Sequence, residues 1–158
     1  MSLSRISALF ALVMAATFTL AAAPAASAQE DARERRTPAE ILEARTQRVA
    51  NLVERRTAQA ERLEARFVAR VDARQAAGRS GERAAARGQQ RVADELEEAL
   101  DRLDTIVSRG VNRLQRRGTP ELTAQLQATG AAAAKTLTAA YNAASSAIAA
   151  ALADVPAA

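Results

Sequence analysis

Cysteine, histidine and tryptophan do not occur in this 158-residue chain, and tyrosine occurs once. Each absence removes chemistry. Without imidazole or thiolate there is no Ser-His-Asp or Cys-His nucleophile, no zinc site of the usual ligands, no His-ligated haem and no carboxylate–His di-iron centre. Without cysteine there is no disulfide framework. The spacing of Gly78, Gly81 and Gly88 matches neither the P-loop nor the dinucleotide fingerprint. Aromatic residues make up 3% of the chain, so bases have little to stack on. The isoelectric point is 10.8, yet 22 basic residues are nearly matched by 18 acidic ones, and nucleic acid is not an expected partner. Large aliphatic and Phe side chains form under a fifth of the residues after position 28. A chain so poor in them is marginal as a compact monomer, and an elongated bundle, completed where needed by a second copy, suits it better.

No enzymatic activity, cofactor or metal is therefore expected. One arrangement comes near to a cation site: Asp94, Glu97, Glu98, Asp101 and Asp104 share one side of a helix. Calcium needs ligands that converge, and a convex helix face presents them outward.

The chain opens with a leader pattern over residues 1–28. Arg5 supplies a positive start, Ile6 to Ala23 an apolar stretch, and Ala26-Ser27-Ala28 a small-x-small cleavage site. Cleavage before Gln29 predicts export to a periplasm or the cell exterior; an uncleaved anchor is the alternative, because the apolar stretch nearly spans a bilayer. Export also separates the chain from genomic DNA. Residues 29–36 are charged and predict a disordered tail.

The centre of the sequence is a long amphipathic helix over residues 37–77. Thr37-Pro38-Ala39-Glu40 is a capping box with proline at the first helical position. Ile41, Leu52 and Leu63 recur at eleven residues, as do Val49, Ala60 and Val71. An eleven-residue period is slightly longer than three helical turns, so a partner helix would run nearly straight. Arg48, Arg55, Arg62, Arg66 and Arg70 fall on one flank of the apolar stripe, and Glu43, Glu54, Glu61 and Asp72 on the other. Arg62, Arg66, Arg70 and Arg74 step by four, so neighbouring like charges repel by a few tenths of a kcal/mol per pair. The ridge Arg55, Arg62, Arg66, Arg70 and Arg74 is the candidate site. It faces either an acidic partner (a protein or an anionic lipid surface) or the acids of a neighbouring helix.

Gly78, Gly81 and Gly88 predict a hinge over residues 78–88, with one frayed turn at Glu82 to Arg87, because glycine inside a helix costs about 1 kcal/mol relative to Ala. A second helix is expected over 89–117, where Val92, Leu96, Ala99, Leu103, Ile106, Gly110 and Leu114 alternate three- and four-residue steps. Its acids crowd the first half and Arg109, Arg113, Arg116 and Arg117 the end, which complements the helix dipole. Folded back antiparallel, that acidic half is expected beside Arg62 to Arg74. Gly118-Thr119-Pro120 closes this helix and opens a third, Ala-rich one over 119–153. Its stripe advances about 3.75 residues per step, which predicts a drift of the face or a kink at Gly130. Residues 154–158 form a tail.

Three long helices and no strand pattern give an all-α chain, an elongated antiparallel bundle or coiled coil. The expected role is that of an exported, non-catalytic interaction protein of the cell envelope, chaperone-like or scaffold, binding itself or a client protein. The alternatives are a helix pair lying on an anionic membrane surface and a structural bundle with no ligand.

Overall fold

The computed structural model describes residues 36–153. The leader, all but the last residue of the N-terminal tail and the tail at 154–158 lie outside the described residues. The fold is all-α, with no strand among the described residues: α1 (Pro38–Ala76), α2 (Glu82–Gln115) and α3 (Pro120–Ala153). At 1.5 Å per residue these are rods of about 50–60 Å, and each packs along both others.

Local chemistry sets the ends. The Thr37 hydroxyl accepts from the Glu40 N–H at 3.3 Å, and the Glu40 carboxylate accepts from the Thr37 N–H at 2.7 Å. The capping box is thus closed in both directions. α1 ends in a Schellman turn. Gly78 takes φ +66°, its N–H donates to the Gln75 carbonyl, and the Arg79 N–H reaches back to Arg74. The same turn recurs at Gly118, also at φ +66°, so α2 stops and α3 begins across residues 116–119.

The glycine-rich stretch is not a hinge over its whole length. The break covers only residues 77–81, and α2 begins at Glu82. Gly88 lies inside the helix and is buried, because Phe67 of α1 fills the place of its side chain: a Cβ there would sit 2.8 Å from Phe67 Cγ. The energy glycine loses in a helix interior is offset by the aromatic ring it admits.

Three close approaches set the register of α1 against α2. Gly81 meets Val71, Gly88 meets Phe67 and Gly110 meets Arg45, so the two run antiparallel. α3 runs parallel to α1, since the Gln75 amide donates to the carbonyls of Ala151 and Leu152 at their shared end.

Burial follows the eleven-residue period in all three helices. Val49, Ala60 and Val71 are buried on α1; Gly88, Ala99 and Gly110, and Val92, Leu103 and Leu114, on α2; Leu126, Leu137 and Ile148 on α3. α3 is a single helix through Gly130, which is buried against Val107. Its inward face includes Thr123, Gly130 and Ala133, and with these positions its steps are all threes and fours that average about 3.6, without the drift expected from the larger residues alone. The core divides along the rod into an end around Ile41, Leu114 and Leu126, a middle around Val53, Leu103 and Leu137, and an end around Phe67, Val92, Tyr141 and Ile148. Alanine and glycine at many of these positions let the helix axes approach closely, which is how a chain poor in large side chains fills its interior.

Candidate anion-binding groove

Three charged residues, Arg45, Arg56 and Glu95, are buried where the apolar pattern predicts none, and two of them meet. Arg56 is 7% exposed and Glu95 4%. Arg56 donates to Glu95 at 2.9 Å and to Glu98 at 3.1 Å. Gln59 donates to Glu95 as well, while Arg91 and Arg102, each one turn away on α2, pair with Glu95 and Glu98. Burial alone would lower the Arg56 pKa, but the hydrogen bond to Glu98 and the charges of Glu98 and Glu95 more than offset it and raise it. The Tyr141 hydroxyl is buried nearby without a hydrogen-bond partner, as is that of Thr57. Burial pushes the Tyr141 pKa up, and the Arg56 guanidinium pulls part of that back.

This network fixes where the acids of α2 go. With Arg56 opposite Glu95, the acidic run 94–104 lies beside residues of about 50–60 on α1, not beside Arg62 to Arg74. The expected pairing of the ridge with those acids is therefore wrong. The reason is the early start of α2: residues 82–88 form two helical turns that push the acids further along α1. Opposite the arginine ridge stand Arg79, Arg83 and Arg87.

The result is a groove between the last third of α1 and the start of α2, of about 660 Å³. Arg66, Arg70 and Arg74 form one wall and Arg79, Arg83 and Arg87 the other; Ala69, Ala73, Ala77, Ala84 and the edge of Phe67 make the floor. No acidic side chain lines it. All six arginines are exposed, and none forms an ion pair or side-chain hydrogen bond among the described residues. Only Phe67 answers them, with the Arg66 and Arg70 guanidinium carbons 6.0 and 5.6 Å from its ring centroid.

The structure thus brings three of the five candidate ridge residues together, Arg66, Arg70 and Arg74. Arg55 lines a separate groove further along the same helix pair, beside Arg48, Arg56 and Arg102 and the acids Glu98 and Asp101. Arg62 is exposed and lines neither groove. The sequence reading missed the opposite wall, because it assigned Arg79, Arg83 and Arg87 to a hinge. Their four-residue spacing was the available signal.

Six guanidinium groups along a furrow with no acidic side chain in its lining have the chemistry to attract anions, and nothing in the lining supplies a nucleophile, a general base or a metal ligand set. Among the described residues there is no group of acidic side chains arranged to hold a metal ion, and no helix is long and apolar enough to cross a membrane. The chain matches no family model, and no curated protein and no solved structure resembles it significantly.

Proposed function

We infer that this chain is a non-catalytic binding protein whose Arg66–Arg87 groove receives an acidic segment of another protein. The observation that carries this is the set of six exposed arginines without a counter-ion. Repulsion of this kind opposes folding, and a partner's carboxylates would relieve it. The Ala-lined floor suits a helix or an extended peptide, since small side chains allow its backbone to approach. No large apolar side chain stands out from this groove to enter a lipid bilayer, which is why a protein segment is preferred to a membrane surface. With the leader pattern at residues 1–28, the reading becomes that of an exported envelope protein that holds clients as a chaperone or scaffold does.

The test is fluorescence anisotropy with a labelled Glu-rich helical peptide of about 15 residues, long enough to span the ~17 Å between Arg66 and Ala77. Saturable binding that weakens with salt is expected. The triple variant R70E/R74E/R83E should bind at least about tenfold more weakly, since each reversal removes a pair contributing up to about 1 kcal/mol and adds repulsion. Equal binding by the triple variant, or none by the natural chain at low salt, defeats the proposal. So does groove-dependent binding to anionic vesicles in the absence of peptide binding, which would favour the membrane-surface role. Sedimentation of the chain alone tests the remaining occupant, a second copy offering its exposed Asp94, Glu97, Asp101 and Asp104.

A further inference from the structure

α2 carries its charges in two arrangements. Toward α1, opposite signs alternate along the helix, and Arg91–Glu95 and Glu98–Arg102 form ion pairs four residues apart. On the side opposite the buried residues Ala84, Gly88, Val92 and Ala99, the signs separate. Arg83, Arg87, Gln90, Asp94, Glu97 and Asp101 follow one another at steps of four and three and are all exposed, so they form one outward row about 27 Å long. Its first half is basic and its second half acidic. Like charges therefore stand one turn apart at Arg83 and Arg87, and again at Glu97 and Asp101, which disfavours the helix in isolation. None of these four makes an ion pair or a side-chain hydrogen bond among the described residues. The one contact within the row is the Gln90 amide donating to Asp94 at 2.8 Å.

The row reverses its sign about Val92. Arg83 and Asp101 are each nine residues from Val92, Arg87 and Glu97 five, and Gln90 and Asp94 two. A second α2 laid antiparallel on the first, with a twofold axis at the level of Val92, brings Arg83 to Asp101, Arg87 to Glu97 and Gln90 to Asp94, and the axis repeats each contact. Steps of four and three are also those of the facing positions in a two-helix coiled coil. A parallel pair would instead set Arg83 against Arg83 and Asp101 against Asp101, like charge on like.

We propose that this row is a self-association surface, on which two copies of the chain pair through antiparallel α2 helices. The pairing shares Arg83 and Arg87 with the groove and rests on the same premise as the reading above, that these arginines are open to carboxylates. A second copy fits the whole row because it supplies both signs in the reversed order. A partner offering acids alone would set them against Asp94, Glu97 and Asp101. No large apolar side chain lies in the row, so the pair is weak and sensitive to salt.

Sedimentation equilibrium of the full chain at low salt, between about 10 µM and 1 mM, covers the range of weak complexes. A monomer–dimer equilibrium that retreats to monomer at about 1 M salt is expected. The variants R83E/R87E and E97R/D101R alter exposed residues only. Each should be monomeric over that range, and an equal mixture of the two should recover a dimer. The chain has no cysteine, so a single introduced one reports the register. Ala93→Cys, beside the axis, should give a disulfide-linked dimer on mild oxidation, whereas Asn112→Cys, beyond the paired span, should not. A natural chain that stays monomeric, a mixture that fails to associate, or equal cross-linking by Asn112→Cys and Ala93→Cys overturns the proposal. E97R/D101R keeps all six groove arginines and should still bind the Glu-rich peptide. Peptide binding without self-association therefore overturns this proposal and leaves that of the groove standing, and self-association without peptide binding does the reverse.

Discussion

Replacing Arg56 by Met removes the charge that faces Glu95, the one buried acid among the described residues. Glu95, at 4% exposure, would keep Gln59 and Arg91. Arg91 is itself 58% exposed, so its compensation is partial. Breaking a buried pair from one side costs about 3–5 kcal/mol, and the surviving contacts place R56M near the lower end, about 3 kcal/mol. The reverse change, Glu95→Leu, leaves Arg56 on the half-exposed Glu98 and should cost less, about 1–2 kcal/mol. The double variant R56M/E95L replaces both by apolar side chains beside Tyr141 and Ala99, and should lie within about 1 kcal/mol of the natural chain in either direction. Urea unfolding followed by circular dichroism at constant m-value measures all four corners of the cycle. A coupling energy of at least about 2 kcal/mol is expected. If R56M alone unfolds at the natural midpoint, the ion pair is not a constraint on this fold and the register argument built on it fails.

Three further perturbations follow from the interior. Tyr141 is the sole tyrosine, so its ionisation can be read directly by ultraviolet absorbance. Its folded pKa is raised above its unfolded value, so the neutral form is the one the fold favours; the associated stability is complete below about pH 10 and is lost as pH rises through the folded pKa. A phenolate transition displaced upward and coincident with loss of helical ellipticity is expected, and Tyr141→Phe should abolish the first and reduce the second. Because that hydroxyl has no hydrogen-bond partner, Tyr141→Phe should be neutral or stabilising by up to about 1 kcal/mol at pH 7, and a loss above that in thermal melts would contradict the burial without a partner. Gly88→Ala should destabilise by about 1–2 kcal/mol in urea titrations despite the better helix former, because Phe67 Cβ and Cγ would lie 3.0 and 2.8 Å from the new methyl; a gain in stability would mean that the ring moves freely. Leu137→Ala, at a fully buried position of the middle core, should cost about 3 kcal/mol, and a cost under about 1 kcal/mol by the same titration would show a loosely packed interior.

The helical class and the helix ends were legible because their causes are local. Thr37 and Glu40 are three residues apart, and Gly78 and Gly118 act on the turn they terminate. The eleven-residue recurrence of Val49, Ala60 and Val71 likewise needs only one helix. What was not legible depends on a partner distant in sequence. Gly88 reads as a breaker until Phe67, on another helix, is known to lie against it. Arg56 and Glu95 read as solvated charge until each is seen to neutralise the other inside the bundle. Placing the start of α2 at 89 instead of 82 then shifted the acids of α2 by about 10 Å along α1, and with them the expected partner of the Arg62 to Arg74 ridge. The walls of the groove were visible as four-step arginine runs, whereas their juxtaposition depended on that offset.

The shared eleven-residue recurrence makes the length of this bundle adjustable. Three turns at 11/3 residues per turn return a helix to its starting angle. Adding or deleting eleven residues in each helix would therefore leave every face pointing as before while moving the ends by about 16 Å. Arg45, which meets Gly110, and Arg70, in the groove, are about 37 Å apart along α1 at present. The distance from the arginine groove to the far end of the bundle is the quantity that insertion or loss of whole repeats would tune without redesign of either.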